Sequence, residues 1–228
     1  MFFWDPTMIL LIPALLLAFY AQFKVRSAYN RYSQIHNARG LTGYQAALHL
    51  LQINGIQDVA VEEVPGTLSD HYDPRDKTVR LSSDNYRGAS LAAIAVAAHE
   101  VGHVIQHATG YVPLKLRHSI LPATNLGSML AFPLFFIGFL FSFPALMDLG
   151  ILFFAGVVLF HLVTLPVEFN ASNRAMRQLV NHGFLARDEA MGAKKVLNAA
   201  ALTYVAATAV AAMHLLRLII LRGMVDDS

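Results

Sequence analysis

Four long apolar stretches dominate the hydropathy pattern of the chain. They lie at about Thr7–Phe23, Leu121–Phe143, Leu149–Leu165 and Ala199–Leu221. An α-helix rises about 1.5 Å per residue, so each stretch is long enough to cross a hydrocarbon core of about 30 Å. The pattern therefore predicts a mostly α, multi-pass membrane protein with about four transmembrane helices.

The sizeable polar region lies between the first two apolar stretches, at residues 24–118. Within it, Thr42 can cap a helix that runs to about Gln52, and Asn54-Gly55 can end that helix. A second helix is predicted from Ser90 to about Thr109, with Gly110 after it.

Residues that favour β-structure cluster at Val59–Val61 and at Thr78–Leu81, which predicts a small strand or hairpin element. The residues Asp73–Asp76 between them are typical of a turn. The run Asp70–Asp73 contains side chains that can bind metals, but beside Pro74 it is more typical of a capped turn.

Composition agrees with a membrane protein, because 56% of the residues are apolar and the mean hydropathy is +0.48. The chain has no cysteine, which excludes disulfides, thiolate zinc ligands, iron–sulfur clusters and a cysteine nucleophile. The formal net charge is only +2, and the 17 basic residues are spread along the chain without interleaved aromatic residues. We therefore expect no nucleic-acid partner.

Basic residues predict the orientation of the helices. The first apolar stretch follows Asp5 and precedes Lys24, Arg26 and Arg31, so it is expected to be an anchor inserted with its N-terminus outside. With four spans, 15 Lys and Arg residues lie on the cytoplasmic side and one lies outside. Counting Ala89–Gln106 as a fifth span changes this to nine against seven, so we reject that span.

A metal-binding motif stands in the second predicted helix: His99-Glu100-Val101-Gly102-His103 has the HExxH pattern. Two histidines four residues apart lie on one face of a helix and can hold one metal ion. Glu100 is offset by one position, where it can accept a proton from a water molecule without being a ligand. The alternative is a pair of histidines in an apolar helix with a purely structural role.

A catalytic zinc needs a third protein ligand, and without cysteine it must be His, Asp or Glu. Glu168 is the candidate, since it follows the third apolar stretch and faces the same compartment as His103 in the four-span arrangement. An interfacial glutamate that reaches water is the alternative. His107 lies about 12 Å along the helix axis from His99, so one ion cannot bind both. It is a candidate for indirect support or substrate contact, and a purely structural role is the alternative. His161 and His214 are expected to form interhelical hydrogen bonds.

With these residues the chain resembles the YugP-type neutral zinc metallopeptidases of bacterial membranes, a gluzincin-like group with the HExxH motif. The resemblance covers nearly the whole length, and four runs carry it: Leu68–Pro74, Ala97–His107, Thr164–Ser172 and Asn198–Ala206. It implies a small zincin-like α+β catalytic domain, one catalytic Zn²⁺ held by His99, His103 and Glu168, and Glu100 as general base. It also implies a polypeptide substrate, expected to be a membrane protein.

The chain differs from the wider gluzincin pattern at one position. Those enzymes usually have an aspartate four residues after the ligand glutamate, hydrogen-bonded to a zinc-binding histidine, and this chain has Ser172 there. Ser172 or Asn173 could supply that bond more weakly. Asn198 and Tyr204 are weaker candidates for a donor near the reacting carbonyl.

These inferences divide the chain into segments: an anchor at 1–23, a cytoplasmic catalytic domain at 24–118, a transmembrane hairpin at 119–167, a cytoplasmic segment with the third ligand at 168–198, and a last transmembrane helix with its tail at 199–228. The expected location is the bacterial inner membrane, with the active site cytoplasmic and both termini outside. The oligomeric state stays open.

The predicted function is zinc-dependent peptide hydrolysis, with substrate added as a strand near Thr78–Leu81. One alternative is a site-2-type intramembrane protease, which needs the His99 helix to be a span and normally takes an Asp ligand from another span. The other is a membrane scaffold or chaperone-like protein stabilised by zinc. A structural zinc site would not require Glu100, which argues against this second alternative.

Overall fold

The computed structural model describes residues 6–226, and it is mostly helical with a small three-stranded sheet. Asp5, which enters the predicted orientation, lies outside these residues. A 3₁₀ turn at Pro6–Leu10 precedes the first helix. The helices are α1 (Leu11–Ser33), α2 (Gly43–Ile53), α3 (Ser83–Arg87), α4 (Leu91–Ala108), α5 (Val112–Leu140), α6 (Pro144–Asn181) and α7 (Arg187–Asp226), and the strands are β1 (Ala60–Val64), β2 (His71–Asp73) and β3 (Thr78–Ser82).

The chain forms two compact units. One combines the residues up to Ala21 with Lys115–Pro166 and the chain from Thr203 onward. The other, which we call the HExxH unit, comprises Gln22–Leu114 and Val167–Leu202. The boundaries fall inside α1, α5, α6 and α7, so each of these long helices contributes residues to both units.

Four helical segments of the described residues are long and apolar enough to cross a membrane: Pro6–Ser33, Val112–Leu140, Pro144–Asn181 and Arg187–Val225. This confirms a mostly α, multi-pass membrane protein. The helices extend beyond the apolar stretches predicted from sequence. In particular, α6 continues through Pro166 as far as Asn181, so Glu168 lies within a helix rather than after its end.

The apolar run Ala89–Gln106, rejected above as a span, forms most of α4 and is not among these four segments of the described chain. Instead, α4 packs against α2, β2 and β3 inside the HExxH unit. Its small residues, among them Ala92, Ala95 and Ala97, are fully buried in the core of this unit. The run is therefore apolar because protein surrounds it.

The predicted helix boundaries of the polar region are confirmed. Thr42 Oγ1 accepts from Gln45 N, and the Gln45 side chain accepts from Thr42 N, which completes a capping box at the start of α2. Gly55 follows that helix at φ +70°, a conformation that favours glycine. Ser90 Oγ accepts from Ala93 N at 3.1 Å and caps α4.

The sheet differs from the predicted strand or hairpin element. β3 lies at its centre, parallel to β1 and antiparallel to β2. The expected substrate edge near Thr78–Leu81 is therefore wrong, because both edges of β3 are already paired. The run Asp70–Asp73, interpreted above as a turn, contains the whole of β2, and the turn follows at residues 74–77.

Candidate metal centre

Two imidazoles project from one face of α4, as the HExxH spacing requires. The ring centroids of His99 and His103 are 4.7 Å apart, and the rings stand at 87° to each other. Their side chains are only 14% and 12% exposed. Each Nδ1 has a hydrogen-bond partner in the protein, which leaves the two Nε2 atoms directed at a common point.

Glu168 of α6 reaches that point. Its Oε2 atom lies 3.3 Å from His99 Nε2 and 3.6 Å from His103 Nε2, and the residue is only 2% exposed. The three ligand atoms lie within 4.8 Å of one another, close enough to hold one metal ion. Two imidazole nitrogens and a carboxylate oxygen are a donor set typical of catalytic zinc, so the residues present fit this metal.

The electrostatics of this pocket favour a cation. Burial by itself lowers the pKa of His103, but hydrogen bonding and charge attraction from Glu168 outweigh it, so the pKa is raised. Positive charge at the ring is thus favoured although the ring is buried. A divalent metal ion would supply the same charge.

Glu100 is buried at 7% exposure and is not part of the three-residue group. Burial raises the pKa of its carboxyl above the ordinary value, although the neighbouring His99 and His103 act in the opposite direction. A carboxylate that is disfavoured by burial accepts protons readily. This property suits a general base beside a reacting water.

A close approach of α4 and α6 brings the three groups together. A Cβ atom built on Gly102 would lie 2.6 Å from the carbonyl oxygen of Ala171, which is shorter than real Cβ contacts allow. Gly102 is thus the position at which the α6 backbone touches α4. Glu168 and Ser172 flank this contact along α6, and so their side chains reach the histidines.

Ser172 occupies the place predicted for a partner of a histidine. Its Oγ atom lies 3.1 Å from His99 Nδ1, and the residue is 8% exposed. The alternative, Asn173, is exposed on the same helix, and its backbone carbonyl accepts from Arg177. A hydroxyl therefore stands where the gluzincin pattern has a carboxylate.

Gln106 and Asn170 were not singled out from the sequence. Gln106 Oε1 lies 3.0 Å from His103 Nδ1, while Gln106 Nε2 donates to Val167 O at 2.7 Å and to Asn170 Oδ1 at 3.1 Å. The sequence did contain a signal for Gln106, because a residue three positions after His103 lies on the same helix face and can contact its ring. The long-range partners on α6 had no sequence signal.

His107 does not belong to the metal group. Its Nδ1 atom lies 2.8 Å from the hydroxyl oxygen of Tyr72 on β2. Burial, followed by the charges of nearby aspartates, raises the pKa of Tyr72 to about 12, so this hydroxyl stays protonated at physiological pH. Both side chains line a cavity of about 190 Å³ that also touches Lys77 and Val104.

The other predicted residues play different parts. The Asp70 carboxylate accepts from Ser82 N and from Asn85 Nδ2, each at 2.8 Å, so it braces the start of β2.

The His214 ring packs edge-on against Phe132, and its Nδ1 has no hydrogen-bond partner among residues 6–226, contrary to the expected interhelical bond. The ring of His161 packs edge-on against that of Phe160. Asn198 is exposed on α7, and Tyr204 belongs to the other compact unit.

Comparison with known proteins finds a matching family model and a similar bacterial protein. The family model described as "Putative neutral zinc metallopeptidase" matches residues 7–223. The "Putative membrane protease YugP" of Bacillus subtilis (strain 168) is 50% identical over 212 residues, which cover 93% of this chain and 94% of that protein. No solved structure matches the chain. The chain therefore belongs to the neutral zinc metallopeptidase family defined by this model.

Proposed function

We propose that this protein is a membrane-embedded zinc metalloendopeptidase. The observation that carries the proposal is the convergence of His99 Nε2, His103 Nε2 and Glu168 Oε2. The buried Glu100 follows directly after His99 in the sequence. Three protein ligands leave a coordination position for water or substrate, as catalytic zinc sites require. The family membership supports the same reaction.

In the proposed mechanism, bound zinc would polarise the scissile carbonyl and lower the pKa of a water molecule. Glu100 accepts the proton of the attacking water and returns it to the amine that leaves. Burial favours the protonated form of Glu100, so the carboxyl can hold this proton between the two steps. No covalent bond between enzyme and substrate is needed.

The substrate strand is proposed to add to β2 rather than to β3. β2 is an edge strand of the sheet and packs against α4, the helix that carries His99 and His103. Backbone pairing with an extended peptide requires such a free edge and tolerates many sequences. Tyr72 of β2 and His107 of α4 would then lie under the bound peptide, joined by their hydrogen bond.

Polypeptides of the membrane, or bound to it, are the proposed substrates. Four apolar helices hold the enzyme in the bilayer, which raises the local concentration of membrane-attached chains around it. The proposed location is the bacterial inner membrane, with the active site in the cytoplasm. The 15-to-1 distribution of basic residues supports this orientation.

Two alternatives are disfavoured by particular observations. A site-2-type protease would carry its HExxH motif on a membrane span, whereas α4 is a core helix outside the four candidate spans of the described chain. A zinc-stabilised scaffold would have no use for Glu100, and burying an unneeded carboxylate costs free energy.

The deciding experiment is peptide cleavage by the purified protein in detergent or nanodiscs, before and after removal of metal with a chelator. We expect cleavage of unfolded polypeptides, its loss after chelation, and its return when zinc is added back. The matched control is Glu100→Gln prepared in the same way, which excludes a contaminating protease. Zinc-loaded protein that cleaves nothing across a broad peptide library would favour the scaffold instead.

A further inference from the structure

A chain of hydrogen bonds leads from Arg174 on α6 to the candidate ligand His103 on α4. Arg174 Nε donates to Asn170 Oδ1 at 2.7 Å, and Gln106 Nε2 donates to the same oxygen at 3.1 Å. Gln106 Oε1 completes the chain at 3.0 Å from His103 Nδ1. All four residues belong to the HExxH unit.

The donor and acceptor of every bond in this series are fixed by Arg174 and by the carbonyl of Val167. A guanidinium group has only donors, so Arg174 requires the oxygen of Asn170 to face it. The Gln106 nitrogen must then face that oxygen, and the carbonyl of Val167, 2.7 Å away, imposes the same orientation independently. The opposite end of the Gln106 amide is an oxygen, which can only accept.

In the neutral ring, His103 Nδ1 must therefore carry the proton, which leaves the lone pair for a metal ion on Nε2. That atom is the one directed at Glu168, 3.6 Å from its Oε2. A metal ion binds the unprotonated nitrogen of a neutral imidazole, and its tautomer is set by the hydrogen bond of the other nitrogen. The amides of Gln106 and Asn170 thus fix the His103 tautomer that a metal ion can bind.

The two histidines differ in this respect. His99 Nδ1 faces the hydroxyl of Ser172, and a hydroxyl can donate as well as accept. His103 instead faces a carboxamide oxygen with a fixed orientation, on a glutamine that is 0% exposed. Burying an amide is unfavourable unless its polar atoms are bonded, and here both ends of the amide are.

We propose that Arg174, Asn170 and Gln106 form a positioning relay that holds His103 as the Nδ1-protonated tautomer and so sets the affinity of the site for its metal. The inference rests on the metal site of the proposed function but not on peptide cleavage. The three residues act through His103 and touch neither metal nor substrate.

The test compares two substitutions of Asn170 with a removal of Gln106. Asn170→Asp keeps an oxygen that accepts from both Arg174 and Gln106, whereas Asn170→Leu removes it at nearly constant volume. Gln106→Met removes both ends of the amide and keeps the length of the side chain. The readouts are the Zn²⁺ dissociation constant, measured by chelator competition, and the visible spectrum of the Co²⁺-substituted protein.

We expect Gln106→Met and Asn170→Leu to weaken Zn²⁺ binding about 10–100-fold, the usual effect of losing a partner of a metal-bound histidine. Both should also change the Co²⁺ spectrum, while Asn170→Asp restores most of the affinity and the parent spectrum. Gln178→Met is the matched control, because Gln178 makes a similar amide bond to Asn54 at 2.9 Å without contacting His103. It should bind zinc like the parent.

Several results would overturn the relay: parent-like affinity in Gln106→Met, equal losses in Asn170→Asp and Asn170→Leu, or an equal loss in Gln178→Met. If Gln106→Met does not fold, the Asn170 pair decides the question by itself. A parent protein that binds zinc but cleaves no peptide contradicts the proposed protease and leaves the relay standing. A parent that binds neither zinc nor Co²⁺ overturns both.

Discussion

At the scale of single residues, the proposed chemistry depends on four side chains with two different tasks. His99, His103 and Glu168 bring their donor atoms within 4.8 Å of one another, while Glu100 lies outside this group and is buried. The one-residue offset of Glu100 from His99 on a helix separates ligand from base. Substitutions should therefore separate metal binding from catalysis.

Glu100→Gln tests the base. The amide keeps the size of the side chain but cannot accept the proton, so we expect cleavage to fall about 10²–10⁴-fold, the usual contribution of general acid–base catalysis. Zinc content should stay at one ion per chain, and thermal stability should not fall. Activity, metal content and melting temperature are measured on one preparation. Undiminished cleavage, or loss of zinc, would contradict the assigned role.

Glu168→Ala tests the third ligand. Removing a ligand should weaken zinc binding more than the roughly 10–100-fold expected for an outer hydrogen-bond partner, and cleavage should disappear at limiting zinc. Glu62→Ala is the control, since Glu62 is an exposed carboxylate on β1 that faces Arg80. Zinc titration of both proteins decides the matter. An equal affinity in the two variants would remove Glu168 from the metal site.

At the scale of elements, the site is the contact of α4 with α6. No side chain separates the two backbones at Gly102, where an added Cβ would lie 2.6 Å from Ala171 O. The HExxH motif sets the spacing of two ligands along α4, but only this close packing brings Glu168 to them. Gly102, inside the HExxH motif, thus allows α4 and α6 to pack closely.

Gly102→Ala should therefore damage the site although alanine favours helices. The added methyl group must push α6 away, at a cost of about 1–3 kcal/mol in the free energy of unfolding. Zinc affinity should fall with it, because Glu168 moves with α6. The control is Gly156→Ala, also on α6, where an added Cβ meets nothing within 4 Å. Chemical denaturation and zinc titration compare the two, and a parent-like Gly102→Ala would disprove the tight contact.

At the scale of the whole molecule, the arrangement in the membrane depends on the four apolar helices and on the distribution of charge. No Lys or Arg lies between α5 and α6, whereas residues 24–118 hold 10 and residues 168–198, from the second half of α6 into α7, hold five. This asymmetry predicts that the HExxH unit is cytoplasmic.

The absence of cysteine makes this orientation easy to measure, since any introduced cysteine is the only one in the chain. We expect Ser142→Cys, in the exposed connection before α6, to react with an impermeant maleimide in intact cells. His182→Cys, exposed between α6 and α7, should react only after the membrane is opened. The reverse pattern would invert the orientation, and labelling of both in intact cells would contradict the four-span arrangement.

Local sequence patterns were enough to predict many features of this protein. The four apolar stretches, the caps at Thr42 and Ser90, and the HExxH motif follow from hydropathy, helix capping and helical periodicity, which act over a few residues. For this reason the sequence predicted the long helices well. It also made Glu168 the candidate third ligand, because Glu168 is a carboxylate predicted to face the same compartment as His103.

Only the tertiary structure decided how distant segments pair. The central position of β3, the strand β2 in a run interpreted as a turn, and the bonds that link Gln106 to Val167 and Asn170 join residues far apart in the chain. Such contacts depend on the packing of whole helices and on strand register, which no local pattern encodes. The residues of the candidate metal site and the histidine partner Ser172 could therefore be named from the sequence. The bonds that join Gln106 to α6 could not.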